Sequence, residues 1–217
     1  MTLVKSIAFD DEEIGRAKTS ASAIAANAAE GPVFIDKLRE GDAAAFETLI
    51  DRYSADVYAL LYRLTENAEE ASDLTQDTFL RVFRAIKGFR GESELRTWLF
   101  RIAINESRNR FRWWKRRRRD VTISLDATIG DSVTTLTDTL ADRSVSPEET
   151  ALMREREYAI KAALIEIPDV YREAIVLCDI EGLSYEETAT ALGVGIGTVK
   201  SRISRGREEL RRILKDF

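Results

Sequence analysis

The chain contains no histidine and a single cysteine, Cys178, among 217 residues. Without His there is no imidazole general base, and a zinc site would need ligands that the chain lacks. One cysteine rules out a disulfide framework. Cys178 stands beside Ile175, Val176 and Leu177, the surroundings of a core thiol and not of an activated nucleophile. No phosphate-cradling glycine motif and no carboxylate cluster with metal-ligand spacing occurs. No apolar stretch approaches the roughly 20 residues that span a bilayer, and acids occupy the N-terminal segment where a signal peptide has its apolar core. The expectation is a cytoplasmic protein with no catalytic residues, no metal and no cofactor.

What is present is charge, unevenly spread. Hydrophobic residues make up 44% and charged residues 33%, a globular composition with a densely charged surface. The net charge of -5 hides strong local contrasts. Residues 1–80 carry 7 basic and 16 acidic side chains, residues 81–119 carry 14 and 3, and residues 196–217 carry 7 and 3. Two cationic segments in an acidic chain are the electrostatic footprint of a nucleic-acid partner.

Hydrophobic periodicity predicts an all-α protein of two helical domains joined by a flexible linker. The expected divisions are an N-terminal extension over 1–31, a first domain over 32–117, a linker over 118–146 and a second domain over 147–217. Val33, Phe46, Leu49, Ile50, Tyr53, Val57, Leu60, Leu61 and Leu64 follow the three-and-four spacing of a core-facing helix, with Asp42 placed to cap its main segment. Asn67 with Glu70 opens the next helix as a capping box, and Leu74, Phe79, Val82, Phe83 and Ile86 form its apolar face. That helix stops at Lys87-Gly88. A third runs through Trp98, Leu99, Ile102 and Ala103 into the basic run Lys115–Arg119. Val121, Ile123 and Leu125 alternate as a strand would, but one short strand has no partner. Ser146-Pro147-Glu148-Glu149 marks a helix start: a cap, Pro in the first turn and acids against the helix dipole. Residues 33–115 lack the alternating strands of an α/β receiver, which disfavours a regulator of the two-domain response type.

From Ser184 the chain reads SYEETATALGVGIGTVKSRISRGREELRR. Ser184 with Glu187 forms a capping box, Ala189 is small where two helices cross, and Gly193 supplies the positive φ of a tight turn. Leu192, Val194, Val199 and Ile203 provide the shared apolar contact. These features specify a helix-turn-helix whose second helix begins near Ile196 and turns Lys200, Ser201, Ser204, Arg205 and Arg207 away from the core. In the central segment, Trp98, Phe100, Phe111, Trp113 and Trp114 interleave with Arg96, Arg101, Arg108, Arg110 and Arg112. Aromatic faces stack on unpaired bases while guanidinium groups follow phosphate, which suits single-stranded nucleic acid. Trp98 is expected in the core. Trp113 and Trp114 are adjacent and cannot both face one core.

The segments DLTQDTFLRVFRAIKGFRGESELRTWLFRIAINESRNRF and IPDVYREAIVLCDIEGLSYEETATALGVGIGTVKSRISRGREEL resemble the two conserved regions of extracytoplasmic-function (group IV) sigma factors of the sigma-70 family. The likeness runs from about Val33 to Leu214. It implies a dissociable subunit of bacterial RNA polymerase that recognises promoters, helps open DNA and is held in check by an anti-sigma factor. By the same resemblance, Asp73, Leu74, Gln76, Asp77 and Phe79 dock on the β′ clamp helices, and the β flap is a second polymerase contact. Phe89, Arg90, Asn105, Arg108, Asn109, Arg112 and Trp113 meet the opened minus-10 element as single strands. Lys200, Ser201, Arg202, Ser204 and Arg205 face the minus-35 element as duplex. Gly195 departs from the pattern, standing in the turn where many relatives carry Pro or Ser.

Overall fold

The structure, a computed structural model, describes residues 31–119 and 147–216, the side chains of 115–154, 156–157 and 216 excepted. The expected extension before residue 31, the linker from 120 and the short Val121–Leu125 pattern lie outside the described residues.

Helix α1 (Pro32–Glu40) starts with proline, whose missing N–H would have had no helical partner there. It stops at Gly41, which takes the left-handed region at φ 85°. This stop divides the single run expected from Val33 to Leu64 into two helices. Helix α2 (Ala43–Thr65) begins where the Asp42 carboxylate accepts the N–H of Ala44 at 2.9 Å. Helix α3 (Ala68–Ala85) begins where the Asn67 side chain accepts the N–H of Glu70 at 2.9 Å. A tight 3-10 turn over Ile86–Gly88 follows, and then α4 (Leu95–Arg119) carries the basic run.

After the break, α5 (Pro147–Glu166) begins at the expected proline, and α6 (Asp169–Ile175) runs directly into a π-helical turn, Val176–Ile180. Helix α7 (Tyr185–Leu192) carries the full reciprocal capping box between Ser184 and Glu187. Gly193 takes φ 68°, and α8 (Ile196–Ile213) starts at the expected residue with Gly195 giving no side-chain cap. Every described element is helical.

Three apolar clusters hold these helices. Leu38, Phe46, Leu49, Tyr53, Val82, Ile86, Phe89, Leu95 and Leu99 close α1 to α4 on one another. Leu164, Ile167 and Ile175, with Leu210 and Ile213, tie α5 and α6 to α8. The largest cluster joins the two halves of the chain: Leu60 and Leu61 of α2 and Phe100 and Ile104 of α4 pack with Leu177, Ala189, Leu192 and Ile203. The two helical domains expected from the sequence are both present, and where the chain on either side of residues 120–146 is described they pack through this shared cluster.

Phe83 and Ile50 were both expected to face the core. Both stand exposed, Phe83 leaning a tilted ring on Phe46 at 4.8 Å between centroids. Phe83 follows the buried Val82 by one position, about 100° around the helix, and so falls at the edge of the apolar face.

Gly206 lies where α8 crosses α6. A methyl group there would stand 2.5 Å from Ile175 Cδ1 and 3.1 Å from Tyr171 Cβ. Overpacking of this kind costs about 1–3 kcal/mol. Gly206→Ala is thus expected to lower the chemical-denaturation midpoint of the chain; an unchanged midpoint would mean that this crossing is slack.

Candidate nucleic-acid interface

On α8 the alternation of apolar and cationic residues sorts by helical period. Val199, Ile203, Gly206 and Arg207 are buried, whereas Lys200, Ser201, Ser204 and Arg205 are exposed on the opposite face. Lys200 Nζ lies 5.9 Å from the centroid of the Tyr185 ring, and the Ser201 hydroxyl donates to the Thr198 carbonyl at 2.9 Å. Arg202 is half-buried between the two faces, with its Nη1 buried and holding no hydrogen bond within the chain.

Arg207 is a correction. It was expected on the outward face, but its guanidinium is buried against the Asp179 carboxylate, Nε at 3.0 Å and Nη2 at 2.8 Å. Positions 199, 203, 206 and 207 form one stripe at helical spacing, which places Arg207 on the core side. The π-helical turn inserts an extra residue where Asp179 meets this arginine. The neighbouring thiol of Cys178 is pushed up to about 12, first by burial and then by Asp179. It is therefore protonated at neutral pH and inert as a nucleophile.

On α4, Arg101, Asn105, Asn109 and Arg112 are exposed at successive turns. Asn109 Oδ1 accepts a hydrogen bond from Arg112. Trp113 and Trp114 are 43% and 48% exposed, edge to face at 5.1 Å. Trp98, as expected, packs against the core and meets the Phe89 ring at 5.0 Å. The side chains of Lys115–Arg119 lie outside the description.

The expected minus-10 residues do not all reach this surface. Phe89 is buried in the core of the N-terminal helices, so its role there is to anchor the loop that presents Arg90 to solvent. Arg108 is turned to the other half of the chain. Its Nε donates to Glu173 Oε1 at 2.7 Å, its Nη2 to Glu173 Oε2, and its Nη1 to the Leu192 carbonyl at 3.4 Å. The hydrogen bond to Glu173 raises the pKa of the arginine above its ordinary value, so its charge is fixed at any physiological pH.

Along α3, Asp73, Gln76 and Asp77 are exposed, and Asp77 pairs with Arg110 of α4 at 2.9 Å. Leu74 is corrected from docking residue to core residue: at 1% exposed it packs in the cluster shared by both halves. Phe79 is partly buried against two clusters. Leu80 and Phe83, which no motif singled out, extend the exposed face of Asp73, Gln76 and Asp77 with apolar surface. The signal was their helical spacing from Asp73 and Gln76.

None of the described residues forms a His, Cys, Asp or Glu group able to hold a metal. No helix among them is long and apolar enough to cross a membrane.

The sequence profile of Sigma-70 region 2 matches residues 49–119, and that of Sigma-70, region 4 matches residues 158–210. The RNA polymerase sigma-H factor of Pseudomonas aeruginosa is 35% identical, over 83% of this chain and 92% of its own length. The ECF RNA polymerase sigma factor SigW of Bacillus subtilis is 35% identical, over 84% of this chain and 96% of its own. The sigma factor RpoE of Bartonella quintana, solved in complex with the anti-sigma factor NepR, aligns at a TM-score of 0.58 and 29% identity, over 78% of this chain and 96% of its own. Two region matches in the order that the helices dictate, with likeness along nearly the whole of each relative, place the chain in the sigma-70 family, among its extracytoplasmic-function sigma factors.

Proposed function

We propose that this chain is an alternative sigma factor that binds bacterial core RNA polymerase, carries it to particular promoters and stabilises the opened DNA. The observation that carries this reading is the pair of exposed polar helix faces, one with adjoining exposed tryptophans on α4 and one on the second helix of a helix-turn-helix. Duplex can be read by Lys200, Ser201, Ser204 and Arg205 in a major groove. Extruded bases can stack on Trp113 and Trp114 while Asn105, Asn109 and Arg112 supply hydrogen bonds and charge to the strand. Residues 32–117 thus carry polymerase docking and minus-10 melting, and residues 147–217 carry minus-35 recognition.

The acidic and apolar face of Asp73, Gln76, Asp77, Leu80 and Phe83 suits a cationic helical partner, the β′ clamp helices. The β flap is taken as a second polymerase contact. The solved RpoE–NepR complex supports an anti-sigma factor as a further partner. In this role the chain performs no covalent chemistry of its own and works where the polymerase is, in the cytoplasm.

Reconstitution tests the reading. Core polymerase with this chain is expected to yield discrete transcript starts from genomic DNA, and core alone is not; no specific start from any genomic fragment would end it. Stacking is worth about 1–3 kcal/mol per base. Trp113→Ala with Trp114→Ala should therefore weaken binding of the holoenzyme to a pre-melted promoter roughly 10-fold or more, with minus-35 duplex contacts kept. An undiminished affinity would assign the two rings to another task.

A further inference from the structure

We infer that Arg39 of α1 is a positioning residue for the loop over residues 89–94: it fixes the direction in which that loop presents Arg90 to an opened strand, and so sets how sharply the bases of the strand are told apart. This inference rests on the sigma-factor reading above. It brings in a helix that lies ahead of the Sigma-70 region 2 match, which begins at residue 49.

The loop is pinned at both ends and free at its tip. Phe89 is buried, its ring beside Trp98 and its N–H donated to the Ile86 carbonyl at 3.0 Å. Leu95, also buried, closes the far end in the apolar cluster that holds Phe89 and Leu38. Between these anchors Arg90 and Glu92 stand in water, their side chains 81% and 78% exposed and 3.8 Å apart. An ion pair so exposed adds little order of its own.

The orientation of the peptide that leaves the core is set elsewhere. The Phe89 carbonyl and the Arg90 N–H belong to one rigid plane, so whatever holds the carbonyl also aims the chain into Arg90. Burial of the ring does not hold it, because the plane can still turn about ψ of Phe89, which stands at 119°. Arg39 does. Its Nη2 donates to the Phe89 carbonyl across 50 residues of sequence, while its Nη1 donates to Asp36 Oδ1 at 2.9 Å, one turn back on α1. Helix α1 is seated by the buried Leu38 and packs on the 3-10 turn Ile86–Gly88 that leads into the loop. A hydrogen bond from a charged donor is stronger than a neutral one, and a loop ordered before binding spends less of its contact energy on being ordered by the strand.

A cation that only followed phosphate would strengthen binding to every sequence alike. A group that aims the loop changes the preference among bases instead, and this separates the two roles. The measurement is the affinity of reconstituted holoenzyme for single-stranded oligonucleotides carrying the non-template strand of a promoter mapped by run-off transcription, with each of the four bases placed in turn at the minus-10 positions. Wild type is expected to prefer one base at the captured position. Arg39→Ala should lower the ratio of best to worst base roughly 5-fold, since one charge-assisted hydrogen bond is lost, with competition for core and affinity for minus-35 duplex kept. Arg39→Lys, which retains the charge and a donor, should give a ratio between the two. A smaller folded fraction would lower all four affinities together and leave the ratio unmoved, so misfolding cannot imitate the result. In Arg39→Ala, affinities that fall equally for all four bases, or that do not fall, overturn the positioning role and leave the sigma-factor reading standing. A wild-type holoenzyme that initiates at no promoter sinks that reading, and this inference with it.

Discussion

Replacing Lys200 and Arg205 together with Glu is expected to abolish transcription from promoters that depend on a minus-35 element. Both residues stand on the exposed face of α8, opposite the buried Val199 and Ile203, so reversal leaves the helix packing intact. Each direct contact to a base is worth about 1–3 kcal/mol, and a carboxylate against phosphate adds repulsion, so the loss should reach roughly 100-fold or more. The measurement is run-off transcription by reconstituted holoenzyme, alongside the affinity of the variant for core. Core binding should be kept, because the proposed docking face is on α3. Loss of core binding instead would contradict the division of labour between the two halves.

The converse change is Asp73→Lys with Asp77→Lys. Association with core should weaken by roughly 10-fold or more, since like charges across a docking surface slow encounter and oppose the contact. Competition against a second sigma factor for limiting core reads this directly, and an unchanged share of core would reject the assignment. Asp77 also holds Arg110 at 2.9 Å, but a surface pair of this kind is worth at most about 1 kcal/mol, so the fold survives. Arg110→Ala serves as the control: it breaks the same pair while leaving Asp73 and Asp77 in place, and its competition for core should match wild type.

How much of this could be read from the sequence depended on the range of the interaction. The helix-turn-helix was legible because its determinants are local. Ser184 and Glu187 lie three residues apart, Gly193 needs only its own φ, and Val199 and Ile203 are one turn apart. The exposed pair Trp113 and Trp114 was legible for the same reason, since two adjacent rings on a helix diverge by about 100°. Arg207 was misplaced although periodicity from Val199 and Ile203 pointed inward, because a positive charge on a basic helix invites a nucleic-acid reading. Its partner Asp179 is 28 residues away in sequence. Arg108 and Glu173 are 65 residues apart, and nothing local in either segment announces the pair. Family motifs locate a functional segment, but they do not say which of its residues anchor it from beneath. Leu74 and Phe89 were assigned to contacts on that basis and lie in the core.

All three tryptophans of the chain, Trp98, Trp113 and Trp114, lie on the single helix α4. Ultraviolet emission from this protein therefore originates almost wholly from one element. Trp98, partly buried beside Phe89, is expected to emit to the blue of the two more exposed indoles, whose emission stacked bases would quench. The ratio of the two bands is a label-free gauge of strand capture, blind to whatever the major-groove helix is doing at the same moment.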